Sequence, residues 1–333
     1  MKKVLFSIFS LLCMGMSCYA LPTSSVLLQH QGNVVVYPLD SLNAALRDAV
    51  DGDTLFLSKG VYPSFTIDKK ITVRGAGQET LTEDIAIAIP DSATLTQTVL
   101  EGVNVGAKGI RSIKVTKQVS GLKIKQCYFE SIDFSGGVYH DVMIDRCFCN
   151  NDLYIPSRIK SMVVKNSRIG MGHNTEQTSS QISFINCNIR SWYYNWHSYL
   201  SDFKGSFINC ILGGGSAQTP LICTVINTFI NDNVPLKGDE LSGYEGSAYA
   251  ENIYKEEGVN NVIKDNNGGI VCIYSDEELM EKGYVGNDGT VIGTGGGMTP
   301  YTLELAVPKV QSSDVKVDNE NRMLNVNLIL TAE

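Results

Sequence analysis

Between residues 122 and 228 the chain repeats one pattern: a short β-rich run of apolar and polar positions, then a polar residue, then a small one. Leu122-Lys-Ile-Lys-Gln-Cys127, Val142-Met-Ile-Asp-Arg-Cys147, Met162-Val-Val-Lys-Asn-Ser167 and Ile182-Ser-Phe-Ile-Asn-Cys187 end 20 residues apart three times running. Gly205-Ser-Phe-Ile-Asn-Cys210 and Thr224-Val-Ile-Asn-Thr228 continue the series at spacings of 23 and 18. A bulky or apolar residue follows each segment (Phe129, Cys149, Ile169, Ile189, Leu212, Ile230). Such short runs read as strands, and a fixed period near 20 marks a repeat architecture. Three short strands and three turns consume about that many residues, and the chain then returns one strand spacing higher, about 4.8 Å along the axis. The pattern predicts an all-β chain built as a parallel β-helix solenoid, right-handed because parallel crossovers are right-handed. Like residues then stack on like. Leu122, Val142, Met162 and Ile182 form one inward row, and the Cys-Cys-Ser-Cys-Cys-Thr column a second, small row beside a turn. The Gln126-Arg146-Asn166-Asn186-Asn209-Asn227 column becomes an amide ladder at its Asn end.

The flanks differ. Residues 40–50 carry Leu42, Ala45, Leu46 and Ala49 at helical spacing, with Asp40 or Ser41 as N-cap and Asp51-Gly52 as the stop. This short helix is expected to cover the exposed end of the solenoid, whose first strands are Thr54–Leu57, residues 59–62, Phe65–Ile67 and residues 71–75. Regular rungs span about 54–231. Residues 232–297 are read as irregular terminal rungs with long loops. In the tail, 298–333, Val315-Lys-Val and Leu324 to Leu330 alternate as paired strands around Asp318-Asn-Glu-Asn321, either as a cap over the last coil or as a separate interaction element.

Residues 1–20 read as an export signal: Lys2 and Lys3, the apolar stretch Val4 to Met16, and Cys18 and Ala20 at small-residue positions before cleavage. A lipidated Cys18 is the rival reading. Both place the solenoid, residues 21–297, outside the cytoplasm: secreted, periplasmic or at the outer surface. The chain of 333 residues is 43% hydrophobic, enough for a sizeable core. Its 27 basic and 35 acidic residues give a net charge of −8, which argues against nucleic acid as a partner. Cys127, Cys147, Cys149, Cys187, Cys210, Cys223 and Cys272 remain after cleavage. Their parallel stacking favours buried free thiols over disulfides, and no His stands at metal-ligand spacing from them.

Ala49-Val-Asp-Gly-Asp-Thr-Leu-Phe-Leu57, Gly60-Val-Tyr62 and Ile71-Thr-Val-Arg-Gly-Ala-Gly77 resemble the opening coil of pectin-lyase-like β-helix proteins. Asn287-Asp-Gly-Thr-Val-Ile-Gly-Thr-Gly-Gly-Gly-Met-Thr-Pro300 is similar to the closing segment of secreted bacterial members. The resemblance spans roughly residues 31–300 and implies fold and export. It implies no single activity, because that superfamily holds lyases, hydrolases, epimerases and adhesins. The galacturonase pattern is not met: Arg158-Ile-Lys160 is present, but no Asp-Asp pair precedes it and His173 follows it. The pectate lyase pattern is not met either, since Met143-Ile-Asp-Arg146 stands where Trp-Ile-Asp-His belongs.

The candidate chemistry is therefore sparse. Asp133, Asp141, Asp145 and Asp152 could gather on one face around calcium, but solvated rung positions and turns are the preferred reading of them; no cofactor is expected. Ser191-Trp192-Tyr193-Tyr194-Asn195-Trp196-His197-Ser198-Tyr199 holds both tryptophans, three tyrosines and a histidine where the period stretches to 23. On a protruding loop, Trp192, Tyr193, Tyr194, Trp196 and Tyr199 would stack on sugars, with Asn195 and His197 bonding hydroxyls; alternating inward, the same rings would be core. With no complete catalytic set legible, carbohydrate binding is the preferred function. A polysaccharide lyase or glycoside hydrolase with an unfamiliar site, and a structural surface protein or adhesin, stand as alternatives.

Overall fold

The computed structural model describes residues 25–89, 97–106, 112–117, 119–134, 137–156, 158–171, 181–191, 193–194, 197–198, 205–213, 223–232, 250–266, 269–304, 308–318 and 323–332. The signal-like residues 1–20, Cys18 included, lie outside the described residues. Among the described residues no helix is long and apolar enough to cross a membrane.

The chain is a parallel β-helix. Its first ladder runs Thr54–Leu57, Thr72–Thr82, Thr98–Val105, Leu122–Lys125, Val142–Asp145, Met162–Lys165, Ile182–Ile185, Ser206–Ile208, Thr224–Ile230 and Ala250–Tyr254, each parallel to the next. A second ladder includes Gly60–Tyr62, Tyr128–Phe134, Phe148–Leu153, Arg168–Met171, Asn188–Ser191 and Ile211–Gly213. A third joins Phe65–Ile67, Ile85–Ile87 and Ser112–Val115 to the far ends of Tyr128–Phe134 and Phe148–Leu153. Alternate residues point inward: Leu122, Val142, Met162 and Ile182 are buried in one continuous core with Phe129, Cys149, Ile169, Ile189, Leu212 and Ile230.

Two columns make the turn between the first and second ladders. Gln126, Arg146, Asn166, Asn186, Asn209, Asn227 and Asn252 all take a left-handed backbone, with φ between 45° and 54°. Asn tolerates that region better than most non-glycine residues, which accounts for its recurrence. The next residue supplies a short donor. The thiols of Cys127, Cys187 and Cys210 and the hydroxyls of Ser167 and Thr228 each donate to the carbonyl two residues earlier, at 3.1, 3.2, 3.2, 2.7 and 2.8 Å. The carbonyls of Lys165, Ile185, Ile208 and Ile226 already accept the backbone N–H of Arg146, Asn166, Asn186 and Asn209 from the rung below, at 3.1, 3.0, 3.0 and 2.9 Å, so the column supplies each with a second donor. The thiols of Cys127, Cys147, Cys149, Cys187, Cys210, Cys223 and Cys272 are free and buried. Burial pushes those of Cys147, Cys149 and Cys187 well above the usual thiol range, and those of Cys223 and Cys272 up to about 12 and about 11.

At the N-terminal end the helix Leu42–Asp48 buries Leu42, Ala45 and Leu46, as its spacing predicts. Ser41 holds the N-cap position without a side-chain cap bond, after a 3-10 turn, Leu39–Ser41. Lys69 Nζ closes the other end, donating to the carbonyls of Leu46 and Arg47 at 2.8 and 2.7 Å. A hairpin that the periodicity does not announce, Ser25–His30 with Asn33–Pro38, adds antiparallel to Thr54–Leu57. Its outer strand carries the consecutive residues Val34, Val35 and Val36, 56%, 50% and 48% exposed.

The C-terminal portion departs from the expectation of irregular terminal rungs over 232–297. Ala250–Tyr254 still pairs as a rung, but Ile263–Asn266 pairs antiparallel with Gly269–Cys272, and a helix, Asp276–Glu281, follows behind a Ser275/Glu278 capping box. These elements form a layer on the flank of the solenoid. The cause is the outer side of the second ladder, where Phe148, Ile211 and Phe229 face away from the inner core. They bury against Val262, Ile263, Ile270, Leu279, Val291 and Ile292 in a second core, with Tyr128 packed alongside. Further rungs would have left that apolar column in water.

The layer ends in a strap over the Asn turn. Asn287 accepts from Asn209 Nδ2 at 3.0 Å, Gly293 N donates to the Asn209 carbonyl at 2.7 Å, and Thr294 N donates to Asn188 Oδ1 at 3.2 Å. The Gly296 carbonyl accepts from Asn166 Nδ2 at 2.9 Å and that of Glu304 from Gln126 Nε2 at 2.7 Å. Gly297 adopts φ +76°, and a Cβ there would collide with the Asn186 amide. The amide ladder accordingly runs Asn252 to Asn227 to Asn209, at 3.0 and 3.1 Å, and passes next to Asn287 of the strap rather than to Asn186. In the tail Pro308–Asp318 and Met323–Ala332 pair with each other in a sheet of their own.

Candidate functional site

The four aspartates do not converge. Asp133 lies on the third ladder opposite Lys114, and Asp152 on the same ladder opposite Ser131. Asp141 sits at a turn and accepts from Ser161 Oγ at 3.1 Å. Asp145 belongs to an outward row of alternating sign on the first ladder: Arg74, Glu101, Lys125, Asp145, Lys165. Arg74 and Glu101 pair at 2.8 Å, and Asp145 lies 3.4 Å from Arg146 and 3.9 Å from Lys165. Stacked rungs bring one residue over the next at about 4.8 Å, where like charges repel and opposite charges attract. The row then turns aliphatic through Ile185, Ile208 and Ile226. Among the described residues no three His, Cys, Asp or Glu side chains are placed to hold a metal.

Of the aromatic segment, Trp192, Asn195, Trp196 and Tyr199 lie outside the described residues, as does His173. The backbone of Tyr193–Tyr194 pairs antiparallel with that of His197–Ser198, a small hairpin issuing directly from the strand Asn188–Ser191.

A cleft of about 420 Å³ lies between the flank of the solenoid and the C-terminal layer. The second ladder contributes Arg168, Asn188 and Ile211; the layer contributes Val271, Cys272, Tyr274, Asp276, Thr294 and Tyr301. Arg168 stands in the outward column between Phe148 and Asn188. Its guanidinium lies 4.5 Å from the centre of the Tyr301 ring, a cation–π contact, and its buried Nε makes no hydrogen bond. Burial pushes the Tyr301 phenol up to about 12, against the opposing pull of Arg168. Asn188 is held by two groups of the layer, Thr294 N and the Ile270 carbonyl at 3.5 Å. Asp276 is an exposed residue whose carboxylate tucks over Gly295, where a Cβ would collide with it. Desolvation there, reinforced by Glu277 and opposed by Arg168, raises its carboxyl above the ordinary aspartate range.

Beside the cleft, Tyr274 also belongs to a polar knot. Its hydroxyl and that of Tyr284 donate to Glu256 at 2.5 and 2.8 Å, and Lys282 approaches the same carboxylate at 3.3 Å. Burial works against ionisation of Glu256, but these donors outweigh it and hold the carboxyl below the usual range. The knot fixes the Tyr274 ring, over which Lys282 Nζ lies at 4.5 Å.

None of the cleft residues stands out in sequence. Arg168 is one rung position among six, and Asp276 and Tyr301 fall in segments without period. The one available signal was the glycine run Gly293 to Gly297, which marks a backbone that something crowds. Comparisons with family models, curated proteins and solved structures find no match to this chain.

Proposed function

We propose that the protein is an exported carbohydrate-binding β-helix of the pectin-lyase-like type, which takes glycan in the cleft between its second ladder and its C-terminal layer. The carrying observation is the lining of that cleft: the two tyrosines Tyr274 and Tyr301 with Arg168, Asn188, Asp276 and Thr294 around about 420 Å³. Rings that stack on sugar faces and a few fixed polar groups are what saccharide recognition requires. The resemblance of residues 49–77 and 287–300 to that superfamily supports the type and the export. The aromatic segment supports the ligand class, because it leaves the same strand whose first residue, Asn188, lines the cleft. Binding is preferred over hydrolysis because the cleft lining contains one carboxyl, Asp276, and glycoside hydrolysis calls for two.

Isothermal titration against a panel of plant, host and bacterial polysaccharides tests the proposal, with Tyr301→Ala expected to weaken binding at least about tenfold, the worth of a buried aromatic contact. Unchanged binding by Tyr301→Ala together with loss in Trp192→Ala/Trp196→Ala would move the site to the aromatic segment. A second reading, polysaccharide cleavage, rests on Asp145, a buried carboxylate whose Oδ1 has no hydrogen bond and which Arg146 and Lys165 flank. Release of unsaturated or reducing ends by the wild type, abolished in Asp145→Asn, would establish it.

A further inference from the structure

Arg168 and Asp276 both line the cleft, and each lies within range of the other's charge. Yet among the described residues no ion pair joins them, and Arg168 Nε is buried without a hydrogen-bond partner. Opposite charges that share a partly dry cleft close on each other unless packing forbids it. Here packing forbids it on both sides. The Arg168 guanidinium is committed to the face of Tyr301, and the Asp276 carboxylate is seated over the Cα of Gly295, a place only glycine leaves open. The cleft therefore presents a cation and an anion that are not paired with each other, the cation set against the Tyr301 ring.

Resting on the reading of the cleft as a glycan site, we propose that its ligand is a zwitterionic saccharide, one carrying a free amino group and an acidic group together. The ammonium faces Asp276; the acidic group takes the guanidinium of Arg168 in a charge-assisted hydrogen bond. Such a ligand satisfies both wall charges at once. A neutral sugar leaves two charges to be desolvated without compensation, and a singly charged one leaves one. The raised carboxyl of Asp276 fits the same account, since an ammonium beside it would bring it back down.

The test uses the full chain and monosaccharide probes, titrated calorimetrically or by saturation-transfer NMR. Muramic acid carries both an amino group and a carboxylate. N-acetylmuramic acid lacks the cation, glucosamine lacks the anion, and glucose lacks both; glucosamine 6-phosphate exchanges carboxylate for phosphate. Muramic acid is expected to bind about tenfold more tightly than N-acetylmuramic acid or glucosamine, the worth of one charge-assisted bond. The glucosamine 6-phosphate arm shows which acid the guanidinium prefers. Arg168→Gln should erase the preference over glucosamine, with Arg168→Lys restoring part of it. Asp276→Asn should erase the preference over N-acetylmuramic acid, and Gly295→Ala, which displaces the carboxylate, should do the same without removing it. Equal affinity for all probes overturns the zwitterion and leaves the glycan reading standing. Failure of every monosaccharide, and of the polysaccharide panel, by a protein with intact circular dichroism overturns both.

Discussion

At the scale of single residues, the turn between the first two ladders depends on two side chains acting in sequence. The residue with positive φ bends the strand, and the next gives a further donor to the carbonyl just before the bend, which in four of the rungs already accepts an N–H from the rung below. Cys127, Ser167, Cys187, Cys210 and Thr228 are interchangeable in that column because each is small and carries one hydrogen. Size alone, the property visible in the sequence, does not separate this role from simple packing. Substitution separates them. Cys187→Thr should retain near-native stability, whereas Cys187→Val, which lacks a donor, should cost about 1 kcal/mol more, the net worth of one hydrogen bond, since the Ile185 carbonyl keeps its bond from Asn166 N. Guanidinium melts of the two variants read the difference directly; equal midpoints would leave the column as packing only.

At the scale of elements, what the sequence discloses and what it conceals divide cleanly by distance along the chain. The rungs are legible because each one repeats the chemistry of the one beneath it, so Leu122, Val142, Met162 and Ile182 announce their stacking at a separation of 20. The C-terminal layer is not, because it meets the rungs at separations of 78, 106, 130 and 178 residues without periodicity. The N-terminal hairpin is hidden for another reason: Val34, Val35 and Val36 are consecutive, so no alternation marks a strand with one buried face. The cleft inherits the same obscurity, since its two walls come from the legible and the illegible parts. The layer also carries a pH signature. Glu256 ionises more readily in the folded state than in the unfolded chain, so its contribution is fully present above the ordinary carboxylate range, near about pH 4.3, and is lost as pH falls through its lower folded value. Near-UV circular dichroism of the tyrosines should therefore report loosening of the layer at acid pH, and Glu256→Gln should flatten that dependence. Asp276 has the opposite sign: its raised carboxyl penalises the folded state once ionised, so Asp276→Asn should gain stability at neutral pH while losing ligand.

At the scale of the molecule, a solenoid is ordinarily a line of neighbours in which each repeat knows only the next. Here the seven free thiols of the described residues probe whether that holds. All are buried, so a thiol reagent should label none of them in the native protein. In rising denaturant, Cys127 and Cys147 should become reactive together with Cys210 and Cys272, because the strap bonds Gln126, Asn166, Asn188 and Asn209 to one continuous segment. Mass spectrometry of labelled peptides resolves the order; exposure that advances rung by rung from one end would show that the strap adds no long-range coupling.

The strap also sets an order of events. A polypeptide leaves the ribosome, and any export channel, from its N-terminal end, so the coil bearing Gln126 is available long before its acceptor at Glu304 exists. The helix can wind early but cannot be fastened until almost the whole chain has emerged. A truncation that ends before residue 262 would thus leave a coiled but unbuckled intermediate, its outer apolar column bare and open to capture by chaperones or by its own kind.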